Sequence, residues 1–268
     1  MAEAVVIGAG LAGCEAAWAL AEAGIPVSLW EMKPKKYSPA HKSPGFAELV
    51  CSNSFKSTRP ISAAGLLKEE MALLGSLTLA AARETAVSAG GALAVDRELF
   101  SAAVTKKILA HPRIHAITGR EATQIPEGNA IIATGPLTSQ AMSDAIGALC
   151  GEKYLSFYDA SAPIVAAESI DPEKTFFATR YGRGEADYIN CPFSQPEYDA
   201  FYDALVSARA VELPPFEREY FKVYEGCMPI EVMARRGRDT LRFGPMRPVG
   251  IQVPWTGHRP WANIQLRR

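Results

Sequence analysis

Cysteine is scarce and scattered. The 268-residue chain has five, Cys14, Cys51, Cys150, Cys191 and Cys227, and no CxxC pair among them. An odd, dispersed set fits reduced thiols and argues against a disulfide framework or a thiolate zinc site. Charge of one sign is equally lacking: 28 Lys and Arg face 29 Asp and Glu, a formal net charge of −1. That excludes a protein coated in positive charge, though a local basic face can coexist with a neutral total. No stretch reaches the roughly 18 uninterrupted apolar residues of a membrane span. The opening MAEAVVIGAG has no basic segment followed by a long apolar one, so no signal peptide is expected and a cytoplasmic location is. Internal repeats and low-complexity tracts are absent too. The remainder is an ordinary soluble composition, 48% apolar and 21% charged, long enough for one large domain or two modest ones.

The strongest local pattern that is present lies in the first thirty residues, AVVIGAGLAGCEAAWALAEAGIPVSLWEM. Ala4 to Ile7 is a short apolar, β-branched run suited to a buried parallel strand. Gly8-Ala9-Gly10-Leu11-Ala12-Gly13 follows at once, then an alanine-rich, helix-prone segment from Cys14 to Ala23, a stop at Gly24, and a second strand from Val27 to Trp30 ending in Glu31. In this order the glycines have separate tasks: Gly8 for the tight turn, Gly10 for backbone approach to a pyrophosphate, Gly13 for close helix–strand packing. The helix N-terminus offers unpaired N–H groups to phosphates. Glu31 stands about 20 residues on, where a carboxylate accepts hydrogen bonds from a ribose. That acid favours an unphosphorylated ribose, so FAD or NAD rather than NADP.

Beyond Glu31, MKPKKYSPAHKSPGF reads as a long exposed loop. It leads into ELVCSNS, where Cys51 closes an apolar run ahead of three small polar residues. Taken alone Cys51 is a packing residue, because free cysteine is among the most buried types. Gly65 to Leu79 has helical periodicity through Leu66, Leu67, Met71, Leu74 and Leu77. In AGGALAVDRELFSAAVTKKILA the expectation is a glycine turn, a short strand, Asp96 as N-cap and a helix from Arg97 to Leu109. RIHAIT and NAIIATG read as short strands, and a helix opened by Pro196 covers Glu197 to Ala208. From about Tyr154 the texture turns aromatic-rich and more β-like, and Arg235, Arg236, Arg238, Arg242 and Arg247 form the densest cationic run. That run either meets RNA phosphates or is a solvated face. His41, Asn53, Ser54 and Lys56 are weaker pocket candidates, each equally explained by an exposed loop. Cys14, Cys150 and Cys191 read as packing.

An apolar strand ending in Ala133-Thr134-Gly135 resembles the second dinucleotide contact of the glutathione-reductase-like flavoproteins, which selects FAD. Several segments together, GAGLAGCEAAWALAEAGIPVSLWEM, SPAHKSPGFAELVCSNSFKS, GGALAVDRELF, IIATGPLTS, YDASAPIV, ADYINCP, EGCMPIEVMARRGRDTLRFGPMRPVG and NIQLRR, resemble the folate- and FAD-dependent tRNA uracil-5-methyltransferase family (TrmFO), in order and across essentially the whole chain. The related GidA flavoproteins share the glycine motif, but VCSNS and GPMRPVG point to the methyltransferase branch. The resemblance implies an α/β fold: a Rossmann-like FAD-binding domain of the glutathione-reductase-like type over residues 1–184, with an inserted, truncated α+β domain facing folate and RNA over 185–268. It implies an enzyme that methylates uridine C5 in the tRNA T-loop, with methylenetetrahydrofolate as carbon donor and FAD, reduced by NADPH or NADH, as reductant. Two family cysteines map onto Cys51 and Cys227, and the resemblance implies Cys227 as the nucleophile toward the base and Cys51 as the acid–base or flavin-side partner. FAD contacts map onto Gly8, Ala9, Gly10, Leu11, Ala12, Gly13, Glu31, Thr134 and Gly135, with Arg97 a further candidate or a plain helix-surface arginine.

Against the family pattern, no segment after NIQLRR resembles the glycine-rich return that holds the flavin end of FAD. The expectation is therefore a fragment, or a shortened relative that keeps the ADP half of the site. Two other readings remain open at this level: an FAD-binding oxidoreductase without RNA methylation, and a non-catalytic RNA-binding remnant.

Overall fold

A computed structural model describes residues 3–50, 52–151, 165–182, 185–209 and 228–267. Cys51 and Cys227, the two cysteines given chemical roles by the resemblance, lie outside the described residues. Tertiary contacts gather the chain into two units, residues 1–87 with 92–161, and residues 88–91 with 162–268. In the second of these, β8 (Phe176–Phe177) pairs antiparallel with β9 (Tyr188–Phe193).

The first unit is mixed α/β. Four parallel strands lie in the order β6 (Ile114–Thr118), β2 (Val27–Glu31), β1 (Ala4–Ile7), β7 (Asn129–Ile132). Register is in step throughout: Ile7 sits opposite Trp30 and Ile132, and Trp30 opposite Ile117. All-parallel strands are covered on both faces, so they carry apolar residues at consecutive positions. Val6, Val27 and Leu29 face one side, where they pack with Cys14, Ala17 and Ala21 of α1 (Leu11–Glu22) and Val104 and Ile108 of α4 (Arg97–Ala110). Val5, Ile7, Trp30 and Ile132 face the other and meet Met142 and Ile146 of α5 (Gln140–Cys150). Alternate side chains pointing to opposite faces give this split. A three-stranded antiparallel ribbon, β3 (Ser54–Ser57), β5 (Ala92–Val95) and β4 (Ala86–Val87), stands beside the α/β core.

Helix starts follow capping chemistry. Asp96 accepts from the N–H groups of Glu98 and Leu99 at 3.0 Å, which starts α4 where the sequence places it. The periodic run 65–79 is not one helix. It divides into α2 (Ala63–Leu73) and α3 (Leu77–Glu84), because Gly75 takes a left-handed φ of 74° and Ser76 caps the next helix through Leu79 N–H.

The second unit has an antiparallel sheet, β10 (Ala262–Arg267), β9, β8, and α6 (Gln195–Ser207). Pro196 lies in the first turn of α6, and Ser194 with Glu197 forms a capping box. Tyr198, Ala234, Leu241, Met246 and Ala262 are its buried core, and two short helices, Ile230–Arg235 and Thr240–Phe243, lie within the stretch that reads as more β-like. At the centre of the sheet, Asn190 is fully buried. Its amide donates to the carbonyls of Ala178 and Tyr188, and its oxygen accepts from Asn263 at 2.9 Å and Gln265 at 3.0 Å. Among the described residues no helix is long and apolar enough to cross a membrane, and no group of three His, Cys, Asp or Glu side chains could hold a metal ion.

Candidate functional site

A cavity of about 530 Å³ opens at the carboxyl ends of β1, β2, β6 and β7, wholly within the first unit. This is where open parallel sheets bind ligands, and the volume falls within the usual range for small-molecule sites. Gly8 through Ala12 form one wall, Trp30 to Lys33 a second, Arg120 to Ala122 a third, and Ala133 to Ser139 with Met142 a fourth. Ser38, His41, Glu48 and Val50 of the long loop complete it.

The glycine wall is built for close approach. A Cβ on Gly13 would come within 1.7 Å of the Gly8 carbonyl oxygen, so only glycine lets α1 seat against the turn. A Cβ on Gly10 would meet nothing within 4 Å, so the missing side chain leaves open space beside the backbone. Gly10 is also the N-cap of α1, with no side-chain cap and no acid in the first turn. The first N–H groups of the helix therefore lack the oxygen that Ser62, Ser76, Asp96 and Ser139 give the starts of α2 to α5. An uncapped N-terminus over an open glycine is suited to a phosphate.

Glu31 is buried at the end of β2, with one carboxylate oxygen accepting from Ala9 N–H at 2.8 Å and the other from Lys33 N–H at 2.9 Å. A carboxylate has about four acceptor positions, so two remain for the hydroxyls of a ribose. On the far wall the Thr134 and Thr138 hydroxyls pair, Thr138 donates to the Gly135 carbonyl at 2.8 Å, and Gly135 has a φ of 68°. Nine of the ten positions proposed from sequence to hold FAD are thus gathered here: eight line the cavity, and Gly13 supports the turn behind it. Arg97 opens α4 and does not line it.

Several lining residues carried no sequence signal. Lys33 is 4% exposed, and its ammonium donates to the carbonyls of Ser43 and Gly45 and lies 3.7 Å from the Glu48 carboxylate. Glu48 in turn accepts from the N–H groups of Lys42 and Ser43. Ala47, itself at a positive φ of 49°, donates its N–H to the Ala9 carbonyl at 2.8 Å. These bonds fix the loop that leads to ELVCSNS onto the glycine turn. His41, already a candidate from the sequence, also lines the cavity, and its Nδ1 bonds the Ser38 hydroxyl. The Arg120 guanidinium carbon lies over the Trp30 ring, 3.4 Å from its centroid. The Trp30 indole N–H is buried without a hydrogen-bond partner among the described residues. Glu121 pairs with Lys36 at 2.6 Å, and that hydrogen bond holds its carboxyl below the usual value, against the opposing effect of burial.

Other candidates lie elsewhere. Asn53 donates its side-chain amide to the Val95 carbonyl at 3.1 Å, and neither it nor Ser54 nor Lys56 lines the cavity. Cys14 is buried in the core beneath the glycine turn and donates to the Ala9 carbonyl; burial, then the nearby Glu31 charge, pushes its thiol up to about 12. Cys191 is half-buried with its thiol raised by burial, whereas Cys150 is exposed at the end of α5, contrary to the packing reading. Of the arginine run, Arg238 pairs with Asp199 at 3.0 Å and with Asp203 and lies over Tyr202. Arg242 pairs with Asp239 at 2.7 Å and lies over Trp261. The Arg238 and Arg242 guanidiniums are therefore committed to partners within the second unit.

Comparisons with known proteins agree in direction. The family model described as glucose inhibited division protein A matches residues 3–268. The methylenetetrahydrofolate–tRNA-(uracil-5-)-methyltransferase TrmFO of Bacillus licheniformis is 57% identical over 263 residues, 98% of this chain and 60% of that protein. The TrmFO of Anoxybacillus flavithermus is 57% identical over 266 residues, 99% of this chain and 61% of that one, and the TrmFO of Heliobacterium modesticaldum is 57% identical over 264 residues, 98% and 60%. The chain spans about 60% of the length of these curated relatives.

Proposed function

The chain belongs to the family of glucose inhibited division protein A, and from that membership we propose that it works as a folate- and FAD-dependent tRNA uracil-5-methyltransferase. The observation that carries the reading is the 57% identity, along 98% of the chain, to a protein named for that activity. In this reading residues 1–184 hold FAD and residues 185–268 face folate and RNA, in a cytoplasmic protein. The substrate is a T-loop uridine, the carbon comes from methylenetetrahydrofolate, and NADPH or NADH is the ultimate reductant.

Bound FAD supplies the electrons that turn the transferred carbon into a methyl group. The protein's own groups do the rest. Gly10 and the first turn of α1 seat the pyrophosphate, Glu31 accepts from the ribose hydroxyls, and Thr134 and Gly135 close the opposite wall. Lys33 and Glu48 fix the loop that runs to Cys51. Uracil C5 is too weak a nucleophile unaided, so the Cys227 thiolate adds to C6 and places the electron pair at C5, which forms the bond to carbon. One of the carbon's two bonds to folate nitrogen opens as this bond forms. Cys51 then takes the C5 proton, and the electrons of that C–H bond expel the Cys227 thiolate. The second carbon–nitrogen bond breaks to free tetrahydrofolate, with the two electrons for the methyl being those that bound, reduced FAD would supply. A uridine within folded tRNA leaves its stack for this to happen.

The test is the visible spectrum of the purified 268-residue chain after FAD addition and desalting, followed by methyl transfer to unmodified tRNA with methylenetetrahydrofolate and NADPH. A retained flavin band is expected, with transfer lost in Cys51→Ala and in Cys227→Ala. A colourless protein that cannot be reconstituted would overturn the FAD assignment. Flavin retention with no methyl transfer would leave an FAD-binding protein without this activity.

A further inference from the structure

Two lysines are buried among the described residues, Lys33 and Lys68, 4% and 8% exposed. Each ammonium donates to two backbone carbonyls, Lys33 to those of Ser43 and Gly45, Lys68 to those of Ser57 and Ala64. They differ in what answers the third N–H and the charge. Lys33 has the Glu48 carboxylate at 3.7 Å, whereas Lys68 has no carboxylate within ion-pair distance among the described residues. Glu69, next to it in the chain, pairs with Arg83 at 2.8 Å instead. Buried charges are ordinarily paired, so Lys68 lacks the counter-charge that Lys33 has.

The surroundings add charge of the same sign. Burial, then the neighbouring Lys56 ammonium, holds the Lys68 ammonium below the ordinary lysine value. Lys56 is exposed and sits in the irregular stretch of β3 between Ser54 and Ser57, at a left-handed φ of 65° that is uncommon outside glycine. Arg59, also exposed, follows in the turn into α2. Its carbonyl accepts from the Ser62 N–H at 3.0 Å and the Ser62 hydroxyl at 2.7 Å. Gly65 lets that turn lie directly on α2, because a Cβ there would come within 1.8 Å of the same carbonyl oxygen. Neither Lys56 nor Arg59 makes an ion pair among the described residues. Three cations are thus held at one corner of the first unit with no anion among them.

None of the three lines the cavity, so the phosphates of a dinucleotide there are not the missing anion. β3 begins three residues after Cys51. The five residues from Cys51 to Lys56 span at most about 18 Å, so the corner stays within reach of the nucleotides beside a base on which Cys51 acts.

We propose that Lys56, Arg59 and Lys68 form a binding site for a backbone phosphate of RNA, at the corner between β3 and α2, which seats the strand flanking the target uridine. The inference rests on the methyltransferase reading of the chain. A phosphate oxygen takes the place at Lys68 that the Glu48 carboxylate takes at Lys33, and the two exposed cations add charge around it. A contact of this kind positions the strand and carries no sequence information.

Fluorescence anisotropy of the full chain with unmodified tRNA, titrated at several salt concentrations, tests this on the unaltered protein, Lys56→Gln, Arg59→Gln and Lys68→Met, with thermal melting as the check on folding. Each variant should weaken binding by about fivefold at 0.1 M salt and lower the slope of log affinity against log salt by about 0.7–0.9, the share of one phosphate contact. Lys68→Met also leaves two carbonyls without their donor, so the exposed pair Lys56→Gln and Arg59→Gln carries the test if that variant melts early. Lys106→Gln, which removes an exposed and unpaired cation of α4, should leave the slope unchanged. Slopes unaltered in Lys56→Gln and Arg59→Gln would overturn the proposal, and so would an equal loss in Lys106→Gln, which would reduce the effect to net charge. Unaltered tRNA slopes with weaker methylenetetrahydrofolate binding would overturn it too, by giving the corner to the carboxylates of folate. An unaltered protein that does not bind tRNA at all would remove the methyltransferase reading itself, an outcome distinct from a variant that matches it.

Discussion

Glu31 serves the fold before it meets any ligand. Its two oxygens satisfy the N–H groups of Ala9, just after β1, and Lys33, just after β2. Glutamine offers one acceptor and one donor, so in either orientation an amide N–H would face a backbone N–H. Glu31→Gln should therefore cost about 1–3 kcal/mol, read from urea unfolding of the ligand-free protein, quite apart from any effect on FAD. Cys14 illustrates the opposite role for a polar atom. Its thiol is held neutral by burial and by the Glu31 charge, with its pKa raised from 9.0 to about 12. In the folded protein Cys14 should resist alkylation at pH 8 while exposed Cys150 reacts, and Cys14 should label on unfolding, as peptide mass mapping would show. The sign with pH follows from the raised value. The contribution is intact below the ordinary 9 and is lost as pH climbs from 9 toward 12, so the unaltered protein should lose stability relative to Cys14→Ala across that window.

At the scale of elements, the segment that matters most has no regular secondary structure. The loop between β2 and β3 is held by one buried lysine and its carboxylate partner, with carbonyls of Ser43 and Gly45 completing the ammonium's bonds. Lys33→Met keeps the apolar stem but leaves Glu48 and both carbonyls without their cation. Removing one member of a buried pair typically costs about 3–5 kcal/mol, and limited proteolysis should cut first within residues 36–50. Regular elements were easier to anticipate. The strand–turn–helix of the first thirty residues and the Asp96 start of α4 were legible because glycine torsions and N-caps act within a few residues. The split between α2 and α3 was not, since leucines recur at helical spacing straight across Gly75 while its left-handed torsion ends the helix.

For the whole molecule, charge that looks concentrated along the chain is partly spent inside it. The five arginines from Arg235 to Arg247 suggested a phosphate-binding run, yet Arg238 and Arg242 are paired with Asp199, Asp203 and Asp239 and laid on aromatic rings. Arg238→Ala should accordingly lower the melting temperature while leaving the slope of log affinity for tRNA against log salt unchanged, because no phosphate contact is lost. A slope reduced by about one would place Arg238 on RNA instead. The sequence by itself determined the parallel α/β core and the glycine turn with its acid, and through its resemblance to a family it proposes chemical roles for Cys51 and Cys227. Each of these is written in neighbouring residues, as torsional constraint, period or motif. Tertiary structure alone decided that Lys33 anchors the loop, that Arg120 lies over Trp30, and that Arg238 and Arg242 are paired with aspartates of the second unit. Those outcomes depend on which groups distant strands and helices bring within hydrogen-bonding or stacking distance, and a one-dimensional chain does not record that distance.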